Sequence, residues 1–88
     1  MDPNTQQEQT QEQRALTPGE KAAGCSFNPS KDPAVDSIKA KFAAAIDEMN
    51  TARNAATSSG AKRYFSKAIS YAEDAQMNAV KAITWQYE

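Results

Sequence analysis

The residues best suited to binding a small molecule cluster on either side of Pro33, where a helix is predicted to begin. The first turn of a helix presents backbone N–H groups and the positive end of the helix dipole to an anion. Phe27 precedes this turn and can offer a ring face to a nucleobase. The polar and basic members of the cluster are Asn28, Ser30, Lys31, Lys39 and Lys41. Together they predict a site for a small nucleotide-like ligand, and a capped structural turn is the alternative interpretation.

Catalytic and metal chemistry find little support in the composition. The chain has no histidine and a single cysteine, Cys25, which argues against a zinc site, a Cys–His nucleophile and a disulfide within the chain. The adjacent carboxylates, Asp47 with Glu48 and Glu73 with Asp74, point about 100° apart on a helix and are expected to be solvated. No glycine-rich phosphate loop is present. We therefore expect a non-enzymatic protein without cofactor or metal, in which Cys25 is packed and inert.

A second basic pair lies further along the chain. Arg63 and Lys67 are four residues apart and therefore share one face of a predicted helix. They form a second candidate anion site, and an ordinary solvated helix face is the alternative interpretation.

The charge balance narrows the class of partner. The 88-residue chain carries 10 basic and 11 acidic residues, a net charge of −1. Residues 1–13 hold five glutamines and three acids and are predicted to be a disordered tail, which leaves +2 on the predicted folded domain, 14–88. A near-neutral chain argues against binding a nucleic acid polymer. Because no apolar run approaches roughly 20 residues and no secretory signal opens the chain, we expect a soluble intracellular protein without a membrane partner.

Local signals predict where the helices begin and end. Thr17 with Glu20 forms a capping box and Gly24 is a typical helix stop, so a short helix is expected over 18–23. Asp32 before a proline predicts the start of a long helix over about 33–56. The break at 57–60 contains two candidate caps, Ser58 and Ser59, for a second long helix over about 61–84.

The apolar spacing predicts how the two long helices pack. Each carries a heptad seam, and the second seam is alanine-rich, which allows close approach. The first seam is Val35, Ile38, Phe42, Ala45, Met49, Ala52 and Ala56, and the second is Ala61, Phe65, Ala68, Ala72, Ala75, Ala79 and Ala82. Since Lys39 falls outside the seam, its side chain is expected to point outward. The predicted fold is all-α: an antiparallel two-helix hairpin with a short N-terminal helix.

A second apolar stripe on the second helix lacks a cover in this arrangement. It comprises Ile69, Gln76, Val80 and Ile83, with Tyr64, Tyr71, Met77 and Trp85 nearby. A helix that is apolar on two sides is buried on two sides, so the stripe predicts assembly with further copies of the chain. The alternative is that the N-terminal tail or residues 16–27 fold over it.

Several runs resemble one family of small phage proteins. They are LTPGE at 16–20, FNPS at 27–30, VDSIK at 35–39 and AEDAQMNAVKAIT at 72–84. The chain resembles the anti-CBASS cyclic-nucleotide sponges, which are related to the hairpin domain of a Thoeris anti-defence sponge, over residues 14–84.

The resemblance implies a homohexamer of helical hairpins without catalytic activity. Such a protein sequesters the cyclic di- and trinucleotide messengers of CBASS immunity in the cytoplasm of the infected bacterium. It implies a dinucleotide pocket in which Lys39 contacts a phosphate and Phe27, or the Arg14 guanidinium, stacks on a base. It also implies a trinucleotide pocket that uses Arg63 or Lys67. The alternative function is a small hairpin adaptor that binds a host protein.

Overall fold

The regular structure of the described residues is helical throughout. The computed structural model describes residues 15–87, which form helix α1 (Pro18–Ala23), helix α2 (Pro33–Ala55) and helix α3 (Ser59–Thr84). A single 3₁₀ turn, Trp85–Tyr87, follows α3. Helices α2 and α3 pack against each other as a hairpin, and α1 lies mainly on α2. The predicted tail, residues 1–13, and Arg14 lie outside the described residues.

The ends of α1 are those that its local sequence predicts. The Thr17 hydroxyl accepts a hydrogen bond from the Glu20 amide at 3.0 Å, and the Glu20 carboxylate accepts one from the Thr17 amide at 2.9 Å. This reciprocal capping box satisfies two amides that the helix leaves unpaired. Gly24 ends the helix in the left-handed conformation, with φ 68°. The predicted helix over 18–23 is confirmed.

The two long helices also begin at side-chain caps. The Asp32 carboxylate accepts from the Ala34 amide at 2.9 Å, and the Ser58 hydroxyl accepts from the Ala61 amide at 3.0 Å. Because Ser58 is the cap, α3 begins two residues earlier than predicted. The all-α hairpin with a short N-terminal helix is confirmed.

Helix α1 approaches α2 at backbone distance. A Cβ added at Gly19 would lie 2.1 Å from the carbonyl oxygen of Ala43, so only glycine fits at this crossing. The Gly19 amide donates to the Asp47 carboxylate at 2.8 Å. Asp47 is half-buried rather than solvated, and its expected role as a surface charge was wrong. Its carboxylate instead joins α1 to α2.

Most of the predicted alanine seam of α3 is half-buried, namely Ala61, Phe65, Ala68, Ala72 and Ala79. Ala75 and Ala82 are exposed, whereas Gln76 retains only 3% of its surface. Ile69, Val80 and Ile83 are half-buried. The stripe expected to need a second copy of the chain therefore faces the interior of the hairpin.

The cover of this stripe comes from within the chain. Gln76 and Val80 line one shallow cleft with Ala23, Gly24 and Lys39. The alternative interpretation, in which residues 16–27 fold over the stripe, describes this arrangement. The residues beside the stripe, Tyr64, Tyr71, Met77 and Trp85, nevertheless stay exposed, so assembly with further copies stays a prediction.

Helix α2 also turns most of its predicted seam inward: Val35 is buried, and Ile38, Phe42, Met49, Ala52 and Ala56 are half-buried. Its buried residues are Val35, Lys39, Ala43 and Ile46, whereas Ala45 of the predicted seam is exposed. Lys39 keeps only 6% of its surface, so its expected outward orientation was wrong. The long lysine side chain occupies a core position because its ammonium group finds partners in the segment before α2.

The opposite side of α3 carries apolar side chains that face away from the hairpin. We call it the outer face of α3; its exposed members are Tyr64, Tyr71, Ala75, Ala82 and Trp85. Their spacings of seven, four, seven and three residues place them on one stripe. Within residues 15–87, no helix has both the length and the hydropathy of a bilayer-spanning segment.

Candidate functional site

A groove of about 400 Å³ opens where the start of α2 meets the end of α3. Residues 24–32, here called the connector, form one side of it. The lining brings together four residues that the sequence singled out: Phe27, Asn28, Ser30 and Lys39. The remaining lining residues are Pro29, Val35, Val80, Thr84 and Tyr87. Mostly apolar walls around a single lysine are typical of a small-molecule site.

Lys39 supplies the positive charge of the groove. Its Nζ donates to the carbonyl oxygen of Gly24 at 3.0 Å and also to the carbonyl oxygen of Phe27. An ammonium group has three N–H donors, so these two bonds leave one for a ligand. Since both carbonyls belong to the connector, the turn between α1 and α2 fixes where the charge lies.

The partners of this buried ammonium group are neutral. Lysine is rarely buried unless a negative charge accompanies it, because removing an ion from water is costly. The partners that Lys39 has among residues 15–87 are two carbonyl oxygens, which carry partial charges only. The arrangement therefore favours an anion at the groove.

Phe27 presents an aromatic ring beside this charge. The Lys39 Nζ lies 5.6 Å from the centroid of the ring, within the range of a cation–π contact. Phe27 nevertheless keeps 67% of its surface exposed. A large aromatic ring left open to solvent next to a buried cation can stack on a planar base.

Asn28 and Ser30 shape the connector. The side-chain NH₂ group of Asn28 donates to the Asp32 carbonyl at 2.9 Å, and the side-chain oxygen of Asn28 accepts from the Ser30 hydroxyl at 2.7 Å. The Ser30 hydroxyl in turn accepts from the Asp32 amide at 3.1 Å. These bonds are those of a capped turn, so the two residues hold the groove wall in place. Their direct contact with a ligand stays a prediction.

The amino end of α2 already carries an anion of its own. The Asp32 carboxylate occupies the position at which a ligand would meet the first helical amides, so the expected anion site at the helix start is filled by the chain. Lys31 and Lys41 are exposed and do not line the groove. The structure thus concentrates the candidate site on Lys39 and Phe27.

Tyr87 is a groove residue that the sequence did not reveal. Its hydroxyl donates to the second oxygen of the Asp32 carboxylate at 2.9 Å. This hydrogen bond raises the pKa of Tyr87, because the phenol is stabilised as a donor to a negative group. The two residues are 55 positions apart, and no local pattern indicates that they meet.

Arg63 and Lys67 lie away from the groove. The Arg63 guanidinium carbon and the Lys67 Nζ lie 5.0 and 5.6 Å from the ring centroid of Tyr64. Lys67 is roughly 25 Å from Thr84 along α3, at the helical rise of 1.5 Å per residue. Any site they form within one chain is therefore separate from the groove. Arg14, the alternative stacking residue, lies outside the described residues.

Cys25 lies at the edge of a different cleft. Burial, and then the nearby Glu20 carboxylate, raise the pKa of its thiol. The neutral thiol is the weak nucleophile of the two forms, which agrees with the expected inert role.

The fold and the groove together define a class: a small helical hairpin whose groove places a buried lysine beside aromatic rings. The comparison with protein families agrees with this description. Residues 19–84 match the family model described as Acb2/Tad1, hairpin domain. The chain therefore belongs to this family of anti-CBASS and anti-Thoeris sponges, which confirms the resemblance noted in the sequence.

Membership of the family implies sequestration of cyclic nucleotides, generally without catalysis. Neither a curated protein nor a solved structure matches the chain.

Proposed function

We propose that this protein is a phage counter-defence sponge. It binds the cyclic dinucleotide and trinucleotide messengers of bacterial CBASS immunity in the cytoplasm of the infected host and does not degrade them. The observation that carries the proposal is the buried Lys39 ammonium group, which has only neutral partners among residues 15–87 and lies next to an exposed aromatic ring. A nucleotide supplies both complements, a phosphate for the charge and a base for the ring.

Each groove residue has a role in this proposal. The free N–H of Lys39 bonds to a phosphate oxygen of the ligand, and the Phe27 ring stacks on a base. Asn28 and Ser30 keep the connector in the shape that holds Lys39, and they border the ligand. Arg14 is the second candidate for stacking, since its guanidinium plane can cover a base.

The trinucleotide site is proposed for the other end of α3. Arg63 and Lys67 flank the exposed Tyr64 ring there, and a shallow hollow of about 400 Å³ lies beside this ring. Two cations and an aromatic ring suit a ligand with three phosphates and three bases. One chain offers only part of such a site, so further copies are needed to enclose the ligand.

Self-assembly belongs to the proposal for this reason. The outer face of α3 presents aromatic and alanine side chains on one stripe, which suits helix packing between copies, and family resemblance favours a hexamer. Light scattering at micromolar protein concentration tests the assembly. A monomer of 9.6 kDa would contradict it.

Calorimetric titration with a panel of cyclic dinucleotides and trinucleotides tests the binding function. We expect Lys39→Met to weaken dinucleotide binding roughly 10- to 150-fold, since a hydrogen bond to a charged group contributes about 1.5–3 kcal/mol. The matched control is Lys62→Met, which changes an exposed lysine at the far end of the hairpin. It is expected to bind as the unchanged chain does.

The outcomes separate the candidate functions. Intact ligand recovered after denaturing the complex supports sequestration, and cleaved ligand would point to an enzyme. Binding that Lys39→Met leaves unchanged would place the dinucleotide site elsewhere. If no cyclic nucleotide binds, the sponge proposal fails and the adaptor alternative gains support.

A further inference from the structure

Tyr87 lines the groove together with Phe27, and no role has been assigned to it. We propose that Tyr87 is a second aromatic wall of the site and stacks on a nucleobase of the bound nucleotide, opposite the connector that carries Phe27. This inference rests on the proposed function, because it needs a ligand that carries a planar base. It adds a contact from the C-terminal turn to a site otherwise built around the connector.

The geometry fixes the Tyr87 ring relative to the connector. The Tyr87 hydroxyl is hydrogen-bonded to the Asp32 side chain. The backbone of Asp32 bonds to the Asn28 and Ser30 side chains. Tyr87 is therefore attached to the same hydrogen-bonded turn that positions Phe27. A ring held in place before the ligand arrives loses little conformational freedom on binding.

The exposure of the ring supports a contact with a ligand. Tyr87 keeps 58% of its surface exposed although its hydroxyl is bonded. Val80 and Thr84 lie with it along the α3 side of the groove, so this wall is largely apolar. An apolar wall with an open aromatic ring, close to a lone buried cation, matches the chemistry of a base linked to a phosphate.

The test compares variants of the full chain in calorimetric titrations with 3′,3′-cyclic GMP–AMP. Tyr87→Ala removes the ring and is expected to weaken binding roughly 5- to 150-fold, the range that corresponds to base–aromatic stacking. Tyr87→Phe keeps the ring and loses only the bond to Asp32, so its affinity is expected to stay within about fivefold of the unchanged chain. Gln86→Ala, a change of an exposed residue in the same turn, is the matched control.

Thermal melting of each variant separates stacking from folding. If Tyr87→Ala melts at a much lower temperature than the unchanged chain, the affinity of Tyr87→Phe decides the test, because Tyr87→Phe preserves the ring. The inference is overturned if Tyr87→Ala binds as tightly as Gln86→Ala. It is equally overturned if Tyr87→Phe loses as much affinity as Tyr87→Ala, since the hydroxyl would then be the whole contribution.

The titrations also distinguish a failure of the Tyr87 inference from a failure of the proposed sponge function. If the unchanged chain binds the dinucleotide and Lys39→Met weakens it while Tyr87→Ala does not, the sponge function holds and only the aromatic wall fails. If the unchanged chain binds neither this dinucleotide nor any other cyclic nucleotide, the proposed function itself fails.

Discussion

The two ends of the hairpin hold positive charge in opposite ways. At the tip, where α2 turns into α3, Arg53, Lys62, Arg63 and Lys67 follow one another without an acidic residue between Glu48 and Glu73. Three of these cations are exposed and Arg53 is half-buried. At the groove, the single cation Lys39 is buried and held by two carbonyls.

This contrast separates the number of cations at a site from how firmly each cation is held. An exposed lysine is screened by water and salt, and its side chain loses entropy when a ligand fixes it. A lysine already fixed in the fold avoids that cost, and its charge acts in a medium of lower dielectric constant. The tip provides several exposed cations, two of them beside the Tyr64 ring, whereas the groove provides one charge at a defined position.

The largest difference in stability between the two ends is expected when one glycine at each end is replaced by alanine. Gly19→Ala places a methyl group against the Ala43 backbone and disturbs the bond to Asp47, so we expect it to lower the free energy of unfolding by about 3 kcal/mol. Gly60→Ala at the tip meets no atom within 4 Å and is expected to be neutral or to stabilise α3 by about 0.5 kcal/mol. Urea denaturation followed by circular dichroism measures both. Equal effects would mean that α1 does not dock on α2 in solution.

A smaller difference in stability is expected when two lysines that both donate to backbone carbonyls are replaced by methionine. Lys39→Met leaves the Gly24 and Phe27 carbonyls without their charged donor and should cost about 2 kcal/mol in the free energy of unfolding. Lys62→Met loses one exposed hydrogen bond of 3.4 Å to the Arg53 carbonyl. It should change the free energy of unfolding by less than about 0.5 kcal/mol. Thermal melts without ligand make the comparison. A neutral Lys39→Met would show that the ammonium group is not buried as described.

The smallest difference is expected from the helix caps. Asp32 caps α2 and also accepts from Tyr87, whereas Ser58 caps α3 with one bond. Asp32→Ala should therefore cost about 1.5 kcal/mol and Ser58→Ala about 0.5–1 kcal/mol. Chemical denaturation of the two variants in the same buffer resolves them. A larger loss for Ser58→Ala would indicate that the bond between Tyr87 and Asp32 contributes nothing to stability.

The helix boundaries could be read from the sequence because caps are local. Thr17, Gly24 and Asp32 act within four residues of themselves, and each does in the structure what its type predicts. The faces of the helices could not be read in this way. Helix α3 has two neighbouring apolar stripes, and both are at least partly buried: Ala68 and Ala72 of one and Ile69 and Val80 of the other are half-buried. The close approach of Gly19 to the Ala43 backbone, which brings α1 onto α2, is also not revealed by composition.

The candidate site was predictable only in its residue types near the connector. Phe27 and Lys39 were predicted to belong to one site, and both line the same groove. Their contact with a ligand stays a prediction, and the predicted orientation of Lys39 was wrong. The reason is that its partners are backbone carbonyls, which every residue possesses and no sequence pattern marks. Tyr87 was missed because its partner Asp32 lies 55 residues away. Contacts between residues so far apart in the sequence depend on how the hairpin closes, and no local sequence pattern indicates them.

The bond between Tyr87 and Asp32 ties the C-terminal turn to the first residue before α2, so the groove exists only in the closed hairpin. A nucleotide held between these segments would act as a reversible crosslink over most of the folded chain. Free ligand at 100 times its dissociation constant adds about 2.7 kcal/mol of stability. That is a large share of the total stability of a small hairpin. Its buried apolar residues within 15–87 are Ala23, Val35, Ala43 and Ile46. Since proteases act on the opened chain, a loaded molecule is expected to outlast an empty one inside the cell.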